Sequence, residues 1–307
     1  MDVIRFKDAC RLWETEKLKY VKASSLAAYS FVIRKHLEPY FSTLDDVTNE
    51  SVQELVDRNL NEGMTLTTAK RIVLILEMIS RFCERRGWMD LLTFKPIYPA
   101  RKEKYKPEII TVREEKKLIR HLTENPKPLN LGLLICICCG LRNGEICGLK
   151  WSDIDFDNKI IYIRRTVYRL NGYMESATRS RLVIGLPKTA DSSREVPVAD
   201  SLLRILKSYN PGNADDSIFL MSGTHRPTDP QTFRNNFRNV LSRLGLPRHK
   251  VHSLRHTFAT RCIESKCDVK TLSSILGHSN VSTTLNLYVH PDREQKRKCV
   301  ENMMKLL

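Results

Sequence analysis

Apolar residues recur at helical spacing through most of this chain and at strand spacing in one short region of its second half. An amphipathic segment opens at Ser24-Ser25-Leu26 and runs to about Tyr40, with serine as the expected N-cap. A longer stripe, from about Thr65 to Arg86, sets Ile72, Leu74, Ile75, Met78, Ile79 and Phe82 on one side and Lys70, Arg71, Arg81 and Arg85 on the other. Thr111-Val112-Arg113-Glu114 has the form of a capping box, and residues 129–139 read as a buried helix. Ile160–Ile163, Arg181–Ile184 and Arg194–Val198 read as strands, with Asn171-Gly172 as a hairpin turn. From Leu202 the pattern is helical almost to the end. The expected fold class is mainly α with one small antiparallel β-sheet (α+β).

Residues 96–107 carry three prolines and several lysines, a composition that disfavours helix and extends the chain. The boundary falls there: a helical domain over 1–95, a basic linker over 96–107 and a second domain over 108–307, closing in a helix over 292–307. The segment Tyr168 to Ile184 is longer than a minimal hairpin needs and reads as an insertion facing DNA or a partner subunit.

Charge sharpens the division. Of a formal net +16, residues 1–100 hold +1 (15 basic, 14 acidic) and residues 101–307 hold +15 (36 basic, 21 acidic). Such a field favours a polyanion, with nucleic acid the commonest for a soluble protein. The longest apolar stretch, Leu131 to Leu141, is too short to span a bilayer, and the charged N-terminus lacks a signal-peptide core, so a cytoplasmic protein without membrane contact is expected. Nine scattered cysteines argue against a disulfide framework. Cys136 and Cys139 form a C-x-x-C without a matching second pair, so a buried apolar role is expected for the cysteines of that helix rather than a metal site.

Arg142, His252, Arg255, His256, His278 and Tyr288 are the chemically suggestive set. Arginine holds phosphate bidentately and stays charged at working pH, so two can cover the non-bridging oxygens of one phosphodiester. A tyrosine attacking phosphorus would store the bond energy as a phosphotyrosyl ester, and the chain has no nucleotide-binding phosphate loop. Lys188, in Leu186-Pro187-Lys188-Thr189, is a candidate proton donor to the leaving oxygen. Taken alone, each has a plainer reading: a surface arginine, a histidine at a helix end, a tyrosine in the core.

Together these motifs resemble the tyrosine recombinases. Gly140-Leu141-Arg142-Asn143-Gly144-Glu145 through Asp155 is one dense match; His252-Ser253-Leu254-Arg255-His256, Leu276-Gly277-His278 and Tyr288 ten residues on form the other. The resemblance implies that Tyr288 makes a 3′-phosphotyrosyl bond, that Arg142, Arg255 and His278 stabilise the phosphorane, that His252 assists proton transfer, and that Lys188 protonates the 5′ oxygen. It implies that Glu145 supports the site from behind, that no metal or other cofactor is needed, and that residues 1–95 clamp DNA. Lys70, Arg71, Arg81, Arg101, Lys102 and Lys104 are the candidate DNA contacts. The implied partners are double-stranded recombination sites, a tetramer held through the 292–307 helix, and an accessory directionality factor. Many integrases carry a further N-terminal arm-binding domain; here the core-binding pattern begins almost at once, as in a simple recombinase or a trimmed chain. Integration or excision of a mobile element is the leading role. The alternatives are a Xer-type dimer resolvase, a type IB-like topoisomerase, and a catalytically silent DNA-binding regulator.

Overall fold

In the computed structural model, which describes residues 4–90, 92–100, 107–170, 180–186, 193–210, 212, 215–289 and 293–304, buried apolar side chains gather in two main cores. The cores belong to two units, Met1–Lys104 with Leu170–Arg181, and Tyr105–Arg169 with Leu182–Leu307.

The first unit is helical: α1 (Phe6–Lys17), α2 (Ala23–Val32) prolonged by a π-helical turn (Ile33–Leu37), α3 (Asn49–Asn61) and α4 (Leu66–Arg85). Phe6, Trp13, Ile33, Leu37, Ile72, Ile75, Leu76, Ile79 and Phe82 form its centre. Thr48 and Thr65 cap α3 and α4 through their hydroxyls. Two expectations need correction. Helix α2 begins before the serines, because Ser25 and Leu26 donate their N–H groups to the Lys22 carbonyl, so Lys22 is the cap and makes no side-chain cap bond. Leu74 is exposed: two residues past Ile72 it stands on the far side of α4, while Val73 and Leu76 complete the buried stripe.

The second unit surrounds α6 (Pro128–Cys139), an almost wholly apolar helix packed against α5 (Val112–Glu124). Thr111 and Glu114 close the capping box of α5. Helix α7 (Asn143–Cys147) follows the turn after α6. Strands β1 (Ile154–Asp155), β2 (Ile160–Ile163) and β5 (Arg194–Pro197) form an antiparallel sheet in the order β1-β2-β5, with Ile161 opposite Val196. Strands β3 (Thr166–Leu170) and β4 (Arg181–Gly185) form a second, two-stranded sheet, so the β-structure is divided rather than single. The expected turn at Asn171-Gly172 lies outside the described residues. Helices α8 (Asp200–Tyr209), α9 (Pro230–Arg243), α10 (Val251–Glu264), α11 (Val269–Leu276), α12 (Val281–Tyr288) and α13 (Arg293–Met304) complete the unit.

Helices α6 and α10 pack together, and Thr257 of α10 accepts the Ile110 N–H at 2.8 Å while its own hydroxyl donates to the Ser253 carbonyl. The cysteine expectation holds for Cys136, Cys139 and Cys147 but not for Cys138, which is exposed: it points outward from a helix whose neighbours cover the positions on either side. On α13, Arg297 pairs with Glu301 at 3.1 Å, and Val300, Met303 and Met304 are exposed. No described helix is long and apolar enough to cross a membrane.

Candidate active site

Helix α6 ends at Gly140, whose φ of +67° is left-handed and whose hydrogen leaves room that a Cβ would not: such an atom would stand 2.5 Å from the Phe258 ring. The chain turns there and enters α7 with Arg142 as its first cap. The Arg142 N–H donates to Glu145 Oε2 at 2.8 Å, and its Nη1 donates to Oε1 at 2.7 Å. From β5, Arg194 donates Nη1 to Oε1 at 2.9 Å and Nη2 to Oε2 at 3.0 Å. Burial works against ionisation of Glu145, but Arg194 and then Arg142 outweigh it and hold the carboxyl at about 2.

Arg142 Nη2 also donates to the Gly277 carbonyl at 2.6 Å. Gly277 is the left-handed end of α11, with φ +64°. Arg255, 1% exposed, makes a parallel arrangement: Nη1 donates to the Gly140 carbonyl at 2.9 Å and Nη2 to the Leu276 carbonyl at 2.7 Å. Both arginines are therefore held by peptide oxygens at the ends of α6 and α11, where helix dipoles favour cations. Burial first and the Arg142 charge second push Arg255 down to about 9, still protonated at neutral pH.

Three histidines surround this pair. His252 and His256, one turn apart on α10, meet edge to face at 4.5 Å between ring centres. Burial, then Arg255 and Arg142, lower the pKa of His252. His278, just past Gly277, places Nδ1 2.8 Å from the Thr284 hydroxyl, and burial followed by the charges of Arg255 and Arg142 pushes it down to about 4. Tyr288 is the last residue of α12, buried, with its hydroxyl 2.6 Å from His256 Nδ1. Neutral imidazoles, cationic guanidiniums and a phenol in one enclosure form a site suited to an anionic phosphoryl group rather than to a metal; among the described residues no cluster of His, Cys, Asp or Glu could hold an ion.

Of the residues singled out in the sequence, Arg142, Glu145, His252, Arg255, His278 and Tyr288 come together in the second unit. Lys188, Arg101, Lys102 and Lys104 lie outside the described residues. Lys70, Arg71 and Arg81 stand exposed on α4 in the first unit, where Lys70 Nζ sits 4.7 Å from the centre of the Tyr98 ring. His256, singled out in the sequence without a role, joins the cluster in the second unit, as its i+4 spacing from His252 on a helix allows. Two participants were missed. Arg194 had no signal, since a strand arginine gives no sign that its partner lies 49 residues earlier. Thr284 likewise reads as an ordinary helix residue.

A model described as the phage integrase family matches residues 108–295, and one described as the phage integrase N-terminal SAM-like domain matches residues 5–59. The chain is 28% identical over 290 residues to a XerC-like tyrosine recombinase of Caldanaerobacter subterraneus subsp. tengcongensis, covering 88% of this chain and 74% of that one. It is 22% identical over 298 residues to the ICEBs1 integrase of Bacillus subtilis, covering 90% and 76%. The Tn1549 transposon integrase in complex with transposon right end DNA shares the fold, with a TM-score of 0.73, 20% identity and coverage of 96% and 99%.

Proposed function

The chain belongs to the phage integrase family of tyrosine recombinases, and from that premise we propose how its residues divide the work. The protein is a site-specific recombinase acting on DNA. One observation carries the assignment of roles: within one unit, the Tyr288 hydroxyl reaches the same helix that bears Arg255 and His252, beside Arg142.

In this reading Tyr288 Oη attacks the scissile phosphorus and the 5′ oxygen leaves, giving a 3′-phosphotyrosyl bond. Arg142 and Arg255 grip the non-bridging oxygens, because each retains guanidinium N–H groups beyond those given to peptide carbonyls. His278 donates a further hydrogen bond, His252 assists proton transfer, and Lys188 protonates the 5′ oxygen. Glu145 keeps Arg142 in place. The domain over 1–95 clamps DNA through Lys70, Arg71 and Arg81, and the 96–107 linker adds Arg101, Lys102 and Lys104. The exposed Val300, Met303 and Met304 of the terminal helix support a tetramer held through that helix. An accessory factor sets direction.

The biological role is integration or excision of a mobile element, a reading supported by the likeness to ICEBs1 integrase. The likeness to a XerC-like recombinase supports a dimer-resolvase role as the second reading. The test uses nicked suicide substrates cut from the sequences flanking this gene, incubated with wild type and Tyr288→Phe. Covalent adduct with wild type alone is expected, and mapping its junction separates element ends from a chromosomal resolution site. Site-specific binding without adduct would instead favour the silent regulator.

A further inference from the structure

His256 belongs to the His252–His256 motif, yet strand cleavage as set out above gives it no task. It nonetheless meets the nucleophile directly. Its Nδ1 lies 2.6 Å from the Tyr288 hydroxyl, at the short end for a bond from an O–H donor. Both groups are enclosed, at 5% and 8% exposure, and their ring centres stand 5.7 Å apart at 52°. A phenol has one proton to give, and a neutral imidazole with its proton on Nε2 accepts at Nδ1.

The surroundings keep that ring neutral. Burial first, then the charges of His252 and Arg255, push His256 down to about 4. His252 and Arg255 share its helix, Tyr288 faces it from α12, and Arg142 in turn lowers His252. The spacing on α10 also matters. His256 lies one residue after Arg255 and one turn after His252, so the helix that presents phosphate-gripping groups also presents the acceptor.

We propose that His256 is the general base of strand cleavage, orienting Tyr288 Oη through Nδ1 and taking its proton as Oη bonds to phosphorus. This rests on Tyr288 being the nucleophile. In the forward step the Oη–P bond forms, the P–O5′ bond breaks, the phenolic proton moves to His256 Nδ1, and the 5′ oxygen takes a proton from a separate donor. Religation reverses each transfer, and His256 returns the proton to the departing phenol. The timing follows from electrostatics. A phosphodiester brought beside the ring raises the imidazole's proton affinity as attack begins.

The test is single-turnover adduct formation with His256→Phe, His256→Ala and His256→Asn, with native DNA binding measured in parallel. Wild-type adduct that disappears in Tyr288→Phe secures the underlying reading, and its failure would be seen there, independently of the His256 variants. Given that control, His256→Phe and His256→Ala should cleave on the order of 10²–10³-fold more slowly at unchanged DNA affinity. Their rates should climb roughly tenfold per pH unit over about pH 7–9, because hydroxide must now take the phenolic proton in place of an enzyme base, while wild type stays flatter. His256→Asn, which keeps a hydrogen-bonding atom near the Nδ1 position and so preserves packing, should show the same slope. Added imidazole should restore part of the rate to His256→Ala. A 5′-bridging phosphorothiolate, whose leaving group needs no proton, should rescue Lys188→Ala but none of the His256 variants. His256→Phe cleaving within about threefold of wild type would overturn the proposal, as general bases contribute far more than that. Variant pH profiles parallel to wild type, or rescue by the phosphorothiolate, would also overturn it.

Discussion

Arg194 holds Glu145 in a two-pronged grip, each guanidinium arm on a different carboxylate oxygen, at 2.9 and 3.0 Å. The same oxygens receive the Arg142 backbone and side chain. A strand, a helix start and a buried acid are thereby locked together, and Arg142 is held in place by a buried carboxylate.

Glu145→Gln should therefore be far more damaging than its small change in shape suggests. It leaves two guanidiniums in a mostly buried setting without their counter-charge, a loss on the order of 3–5 kcal/mol. Thermal denaturation should report the fall in stability, and single-turnover cleavage should fall with it even at temperatures where the variant is folded. An unchanged melting temperature would show that the Arg194 grip carries no structural weight.

Arg255→Lys tests the geometry of the fork rather than its charge. A lysine cannot span the Gly140 and Leu276 carbonyls and still present donors to a phosphate. Cleavage should drop on the order of 10²–10³-fold while DNA affinity stays within a few-fold of wild type. A lysine variant with near wild-type cleavage would refute the need for a planar fork.

Gly140→Ala should destabilise the second unit. The left-handed conformation costs a non-glycine residue roughly 1–2 kcal/mol, and the new methyl must displace Phe258 as well. Denaturant unfolding should show a total loss on the order of 2–4 kcal/mol. Pairing the change with Phe258→Leu should recover the steric part only.

Acid should loosen the DNA-free protein in two stages. His256 and His278 sit at about 4 when folded but at 6.5 ordinarily, so the unfolded chain binds more protons between those values. Stability conferred by keeping them neutral is complete above about 6.5 and is lost as pH falls towards 4. Glu145, held at about 2 rather than 4.5, adds a second loss between those lower values. Melting temperature followed from pH 8 to 4 should decline from near pH 6.5, and His278→Gln should flatten the upper part of the curve. A flat wild-type curve between about pH 6.5 and 5 would contradict this.

The fold class was legible because its signals are local. The Thr111–Glu114 box, the apolar run of α6 and the alternation in β2 each fix an element from a few neighbouring residues. The site was legible where motif residues carry the chemistry themselves, as Arg142, Arg255, His278 and Tyr288 do. Arg194 and Thr284 were hidden because their roles come from partners on other elements. Leu74 was misplaced because a hydrophobic residue within a helix need not face its core. The division into two sheets depends on which strands pair, and strand composition alone does not say.

The two arginines anchored on peptide carbonyls have a consequence for the charge of the enclosure. Among the described residues the cluster holds three guanidiniums, Arg142, Arg194 and Arg255, against a single carboxylate, Glu145, with His256 and His278 uncharged at neutral pH. Carbonyl oxygens orient cations without cancelling them, so two positive charges are left over. A bound phosphodiester would meet one of them, and the second would be met only when a five-coordinate phosphorus dianion forms. Counted over these four side chains, the net charge matches the five-coordinate dianion of phosphoryl transfer, one unit beyond what the substrate itself requires.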